Sequence, residues 1–173
     1  MDGRFVTVMA SALRLRLVLV AVLWCAVCGV SRADALGDAL QARSRGDYVA
    51  AAQQFRQLAA AGNASAAFQL SLLYASGQGV KADARESVRW LKMAAVGGDV
   101  QAQTNLGVAF AKGRGVPQDD GKAYVWFSKA AGSGDSVALT NRDIAARKLS
   151  TQQLNQANEL LARCQGPHLD ACL

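Results

Sequence analysis

The stretches GQGVKAD (Gly77–Asp83) and GRGVPQD (Gly113–Asp119) spell almost the same phrase thirty-six residues apart. Each runs glycine, any residue, glycine, valine, and closes on aspartate. A dinucleotide-binding loop would need a strand before it and a third glycine three places on. Those places hold Ala82 and Gln118, and an apolar stripe of helical period precedes each phrase. The phrase reads as the joint of a repeat and not as a phosphate cradle.

The rest of the chain agrees. A shift of 36 carries Ala66 onto Ala102, Leu70 onto Leu106, Tyr74 onto Phe110, Trp90 onto Trp126, and Gly98-Asp99 onto Gly134-Asp135. Shifted backwards, Asp47, Phe55, Ala59 and Gly62 fall in line with Asp83, Leu91, Ala95 and Gly98, so a shorter first unit precedes two full ones. A period near 36 points to helical repeats. In each unit Ala66, Leu70, Leu73 and Tyr74, or their counterparts, form the stripe of a first helix. Gly77 and Gly113 stand where a left-handed cap is wanted, Gly79 and Gly115 continue the joint, and Val80 folds back toward the core. Asp83 opens the second helix as its N-cap, with Glu86 placed to complete a capping box. Asp119 repeats the cap behind Pro117. Ser87, Leu91, Ala94 and Ala95 form the inward stripe of the second helix. The recurrence of Trp90 and Trp126 in register reads as core packing, although a tryptophan pair could also stack a ligand. Asn63-Ala64-Ser65 has the form of a glycosylation site and is read here as a helix entry. Near the end, Ser150 caps a last helix, Gln153 closes its box, and Leu154, Ala157, Leu160 and Leu161 line one face. A solenoid needs such a helix, because its last repeat has no neighbour to cover it.

The expected fold is all-α: a right-handed α-solenoid of antiparallel helix pairs from Ala35 to about Cys164, with a C-terminal capping helix and no strands. The expected divisions are a signal peptide (1–33), a partial repeat (34–62), two full repeats (63–98 and 99–134), capping helices (135–164) and a tail (165–173).

The N-terminus reads as a leader. Arg4, Arg14 and Arg16 precede an uncharged apolar run from Leu17 to Val30, and Ser31 and Ala33 offer small residues at a cleavage site. Fourteen apolar residues fall short of the roughly 20 that span hydrocarbon, so no membrane span is expected once the leader is removed. Neither Cys25 nor Cys28 follows the pattern of a lipoprotein site, and both leave with the leader. The remaining chain carries 15 Lys and Arg against 12 Asp and Glu, a balance of +3. No cluster of cations interleaved with aromatics survives, which excludes nucleic acid as the expected partner. The expected location is periplasmic or secreted, by bacterial-type export. There Cys164 and Cys172, an even pair in an oxidising compartment, read as a local disulfide pinning the tail.

Chemistry is sparse. His168, the only histidine, has no partner for catalysis or metal binding and reads as a solvated loop residue. No Ser-x-x-Lys or G-x-S-x-G occurs. The aspartates gather at helix starts, where the macrodipole favours them. The expectation is no catalytic residue, no metal and no cofactor.

The pattern A-x-x-x-L-G-x-x-Y/F-x-x-G-x-G-V-x-x-D, followed by A-x-x-W-x-x-K-A-A-x-x-G, resembles the Sel-one-like repeat, close kin of the tetratricopeptide repeat. Gln101 to Asp135 follows it through Ala102, Leu106, Gly107, Phe110, Gly113, Gly115, Val116, Asp119, Ala123, Trp126, Lys129, Ala130 and Ala131. The preceding copy departs at Ser71, where glycine is usual, and at Ser87 and Met93, where alanine and lysine are. The resemblance implies a non-catalytic scaffold that binds another protein or peptide, as a monomer or weak homodimer. It also implies that the first helix of each pair lines the concave face. Gln69 and Leu72 in one repeat, and Asn105 and Val108 in the next, are then the expected partner-binding residues, with plain packing of Leu72 and Val108 between helices as the alternative. A second function class is a secreted enzyme or ligand-binding protein of the penicillin-binding, weakly β-lactamase kind. Such relatives carry a cysteine pair in every repeat, whereas this chain has one pair outside them. Turnover of nitrocefin separates the two classes.

Overall fold

Eight helices and no strand fill the described residues, 32–164, of the computed structural model: α1 (Arg32–Ser44), α2 (Tyr48–Ala60), α3 (Ala64–Ser76), α4 (Ala84–Val96), α5 (Val100–Lys112), α6 (Asp120–Gly132), α7 (Ser136–Ala146) and α8 (Thr151–Arg163). The fold is an all-α repeat. From Leu36 onward the chain clusters as one unit. Along it the helices pack in sequence, from α2 on α3 through to α6 on α7, and α8 lies on α6. The leader, His168, Cys172 and the tail lie outside the described residues.

Polar residues set the helix starts. Asp47, Asn63, Asp83, Asp99, Asp119, Asp135 and Ser150 cap α2 to α8, each side chain accepting from a backbone N–H of the first turn. Such a cap contributes about 1 kcal/mol. Ser150 and Gln153 make the reciprocal capping box that their spacing predicts. Asp83 and Glu86 do not. The Asp83 carboxylate accepts from Arg85 and Glu86 N–H, but its own N–H donates to the Tyr74 carbonyl at 3.0 Å. The donor that Glu86 was expected to satisfy is already used, and Glu86 pairs instead with Arg89 at 3.0 Å. The next copy closes its loop in the same way, Asp119 N–H to the Phe110 carbonyl at 3.0 Å.

The two glycines of each phrase have different tasks. Gly77 and Gly113 are left-handed C-caps, with φ of 73° and 64°. Gly79 and Gly115 also have positive φ, but their constraint is proximity. A Cβ on Gly79 would stand 2.2 Å from the Tyr48 carbonyl oxygen, and one on Gly115 would stand 2.2 Å from that of Ala84. Tyr48 and Ala84 are the first residues of α2 and α4. The second glycine is therefore where one repeat lies backbone-to-backbone on the helix start of the repeat before it. Val80 and Val116, next in the phrase, pack partly buried against the core.

The core runs along the repeat through Phe55, Leu70, Leu73, Leu106, Phe110 and Trp126, all nearly or wholly buried. Trp90 is buried as well, so both tryptophans are core residues. At the C-terminal end Lys129 reaches from α6 to donate to the Cys164 carbonyl at 2.8 Å, and burial pushes its pKa down. This ties α6 to the end of α8.

Asp135 shows how a cap couples neighbouring repeats. Its carboxylate accepts from Thr104 Oγ1 on α5 at 2.7 Å and from the N–H groups of Val137 and Ala138. The Thr104 bond foremost, then the backbone bonds, hold its pKa below the ordinary carboxylate value. The unfolded chain then takes up this proton more readily than the folded one. The contribution to stability is complete above the unfolded pKa of about 4 and drains away as pH falls through the lower folded value. Asp135→Asn should accordingly flatten the loss of melting temperature between neutral pH and pH 3, relative to wild type. An unchanged slope would mean that other carboxylates govern acid unfolding.

Candidate functional site

The departures of the first full repeat from the second fall in the wall of one surface hollow. In the second copy Phe127 of α6 fills the space beside Gly107 of α5 so closely that a Cβ on that glycine would be 2.6 Å from the ring. One repeat earlier the same positions hold Leu91 and Ser71, and Ser87 stands where Ala123 follows. The smaller leucine accompanies a serine, and the larger phenylalanine accompanies a glycine. Both serines are buried and satisfied: Ser71 Oγ donates to the Phe68 carbonyl at 2.6 Å, and Ser87 Oγ to the Ser71 carbonyl at 2.9 Å. A cavity of about 520 Å³ lies between α3, α4 and α5, with Ser71, Ser87 and Leu91 in its wall.

Three of the four expected partner-binding residues, Leu72, Asn105 and Val108, line this cavity, together with Ala75, Val88 and Arg114. Gln69 lies in a neighbouring depression of about 420 Å³, which also takes in Arg43, Thr104, Asp135 and Val137. Leu72 and Asn105 border both, so the two hollows adjoin along the first-helix face. Leu72 is 36% exposed, and Asn105 and Val108 are half-buried. Gln69 is less available than the sequence suggested, because its side-chain oxygen accepts from the Arg43 guanidinium of α1. The repeat register did not show that contact, since α1 reaches α2 by a shorter connection than α3 reaches α4. Arg114 and the open volume were also missed, and the repeat pattern carries no signal for either.

No group of three or more His, Cys, Asp and Glu suited to a metal occurs among the described residues. Nor is any described helix long and apolar enough to cross a membrane. The face is thus a shallow apolar trough with amides and arginines at its border. It offers dry contact and hydrogen bonds.

Helix pairs stacked at a fixed period, joined through glycine and closed by a last helix, define an α-solenoid repeat protein. More particularly, the chain contains two Sel1 repeats, matched over residues 64–99 and 100–135. Among solved structures, it is similar to a protective antigen of uropathogenic Escherichia coli strains that displays an SLR fold. That likeness has 29% identity and a TM-score of 0.72, covering 83% of this chain and 32% of the antigen. It is also similar to a Sel1 repeat protein from Oxalobacter formigenes, with 30% identity and a TM-score of 0.61, covering 78% of this chain and 59% of the other. The chain thus spans about a third of the first relative and about three fifths of the second. No curated protein matches. Sel1 repeat proteins generally mediate protein–protein interaction.

Proposed function

We propose that this chain is an exported, non-catalytic interaction module that holds a protein or peptide partner against the first-helix face of its repeats. The observation that carries the reading is the meeting of two hollows at Leu72 and Asn105, on the first helices of the repeats, where the family resemblance implies the binding face. The Sel1 repeats support it, as does a trough whose lining offers contact surface and little chemistry.

The test begins with a partner captured by crosslinking in the envelope of the exporting cell. Asn105→Trp then places an indole where both hollows meet. Affinity for that partner should fall at least about tenfold, some 1.4 kcal/mol, with an unchanged melting temperature. Unchanged affinity would put the binding surface elsewhere. Gln69→Arg is unsuitable as a companion variant, because it sets a second guanidinium against Arg43.

Export and the Cys164–Cys172 disulfide belong to the same proposal. Cys164 is fully buried at the end of α8, the setting of a cysteine that pins a tail. The secreted form should begin at Asp34 and show no free thiol in the native state. An intact Met1 on a soluble cytoplasmic protein, or two titrating thiols, would remove this part of the proposal.

A further inference from the structure

The first-helix face carries a second regularity that extends past the two full repeats. Leu72 on α3, Val108 on α5 and Ile144 on α7 follow one another at the repeat period. Leu72 is 36% exposed and Ile144 is 47% exposed. Val137, 60% exposed, lies two turns before Ile144 and hence on the same side of α7, and it borders the hollow that contains Leu72 and Asn105. An aliphatic row therefore crosses three successive first helices. Beside it runs an amide row, Gln69, Asn105 and Asn141, at the same period.

The charges along this row are one-sided. Arg114 lines the cavity, and Arg147, the C-cap of α7, stands three residues beyond Ile144. Neither makes an ion pair, for the three salt bridges among the described residues are Arg89–Glu86, Arg142–Asp143 and Lys148–Asp120. Arg43 bonds to the neutral amide of Gln69, so its charge is not cancelled. The two carboxylates bordering the hollows, Asp83 and Asp135, are both committed to helix N-termini, whose partial positive charge offsets them. What faces solvent is an apolar strip edged with uncompensated guanidinium groups.

Resting on the reading of this face as a partner site, we infer that its occupant is an acidic peptide segment with aliphatic side chains. The carboxylates would meet Arg43, Arg114 and Arg147, and the aliphatic groups would lie along Leu72, Val108 and Ile144. The same charge argument weighs against a second copy of the chain. Two such faces would bring like arginines together, and like charges in contact oppose association. Arginine is also the cation best matched to a carboxylate, through its two parallel donors.

A random dodecapeptide library displayed on phage, selected against the full chain, tests this directly. Enriched peptides should carry net negative charge with aliphatic residues, and a synthetic copy of one should bind more weakly as salt screens the pairs. Arg114→Glu with Arg147→Glu, both exposed and outside the core, should lower affinity for that peptide at least about tenfold and leave the circular dichroism unchanged. Enrichment of neutral or basic peptides, or indifference to the double substitution, would overturn the charge inference while leaving the interaction reading in place. Failure to enrich any peptide would overturn both. A dimer in solution that Ile144→Glu dissociates would show that the strip receives a second copy, contrary to the inference.

Discussion

Gly115→Ala should destabilise the protein by about 3 kcal/mol or more, whereas Gly113→Ala, two residues away, should cost only about 1–2 kcal/mol. Both glycines have positive φ, so both variants pay the left-handed penalty of an L-residue, about 1–2 kcal/mol. They differ in what the added methyl meets. At Gly113 the nearest atom is the Gln118 Cβ at 3.4 Å, an ordinary contact. At Gly115 it is the Ala84 carbonyl oxygen at 2.2 Å, with the Ala84 carbonyl carbon at 2.6 Å. A peptide group at the start of α4 has no rotamer to move into, so α4 and the loop must separate. Overpacking of this kind adds about 1–3 kcal/mol. Urea unfolding of the two variants measures the difference, which isolates the contact between repeats from the cost of φ. Equal losses would mean that the close approach contributes nothing. Gly79→Ala should behave like Gly115→Ala, through the equivalent contact with Tyr48.

Much of this was legible before any coordinates. Asp, Asn and Ser at seven helix starts, glycine at the left-handed caps and the tryptophans in register are local or periodic signals, and periodicity is what a repeat writes into its sequence. The capping box at Glu86 failed because Asp83 N–H finds the Tyr74 carbonyl across the loop, a partner outside the local pattern. The purpose of the second glycine was hidden for a similar reason: it depends on a backbone in the preceding repeat. The cavity was hidden more deeply. Its wall draws residues from three helices, Ser71, Leu91 and Val108 among them, and no local or periodic signal marks an unfilled space. For the partner-binding set, the choice of helix face came from the family resemblance, and three of its four residues line one hollow. The engagement of Gln69 by Arg43 could not be inferred, because α1 is joined to α2 by a connection of different length.

Trp126→Ala should cost about 3–5 kcal/mol, a large share of the 5–15 kcal/mol that holds an ordinary domain together. Its side chain is 0% exposed, and α6, which carries it, is the helix on which α5, α7 and α8 all pack. Trp90, its counterpart one repeat earlier, provides the control. It is 5% exposed, but its indole N–H is buried without a partner. Trp90→Phe removes an unsatisfied donor along with some ring area, and the two effects oppose each other, so that variant should stay within about 1 kcal/mol of wild type. The loss at Trp126 should also be uneven along the chain. Repeat proteins are held together mainly by contacts between neighbours, so a void in α6 should first release the elements that rest on it. Native-state hydrogen exchange should then show α7 and α8 losing protection while α2, two repeats away, keeps its own. Uniform loss along the chain would instead mean that it unfolds as a single cooperative block, with stability at Trp126 shared by every repeat.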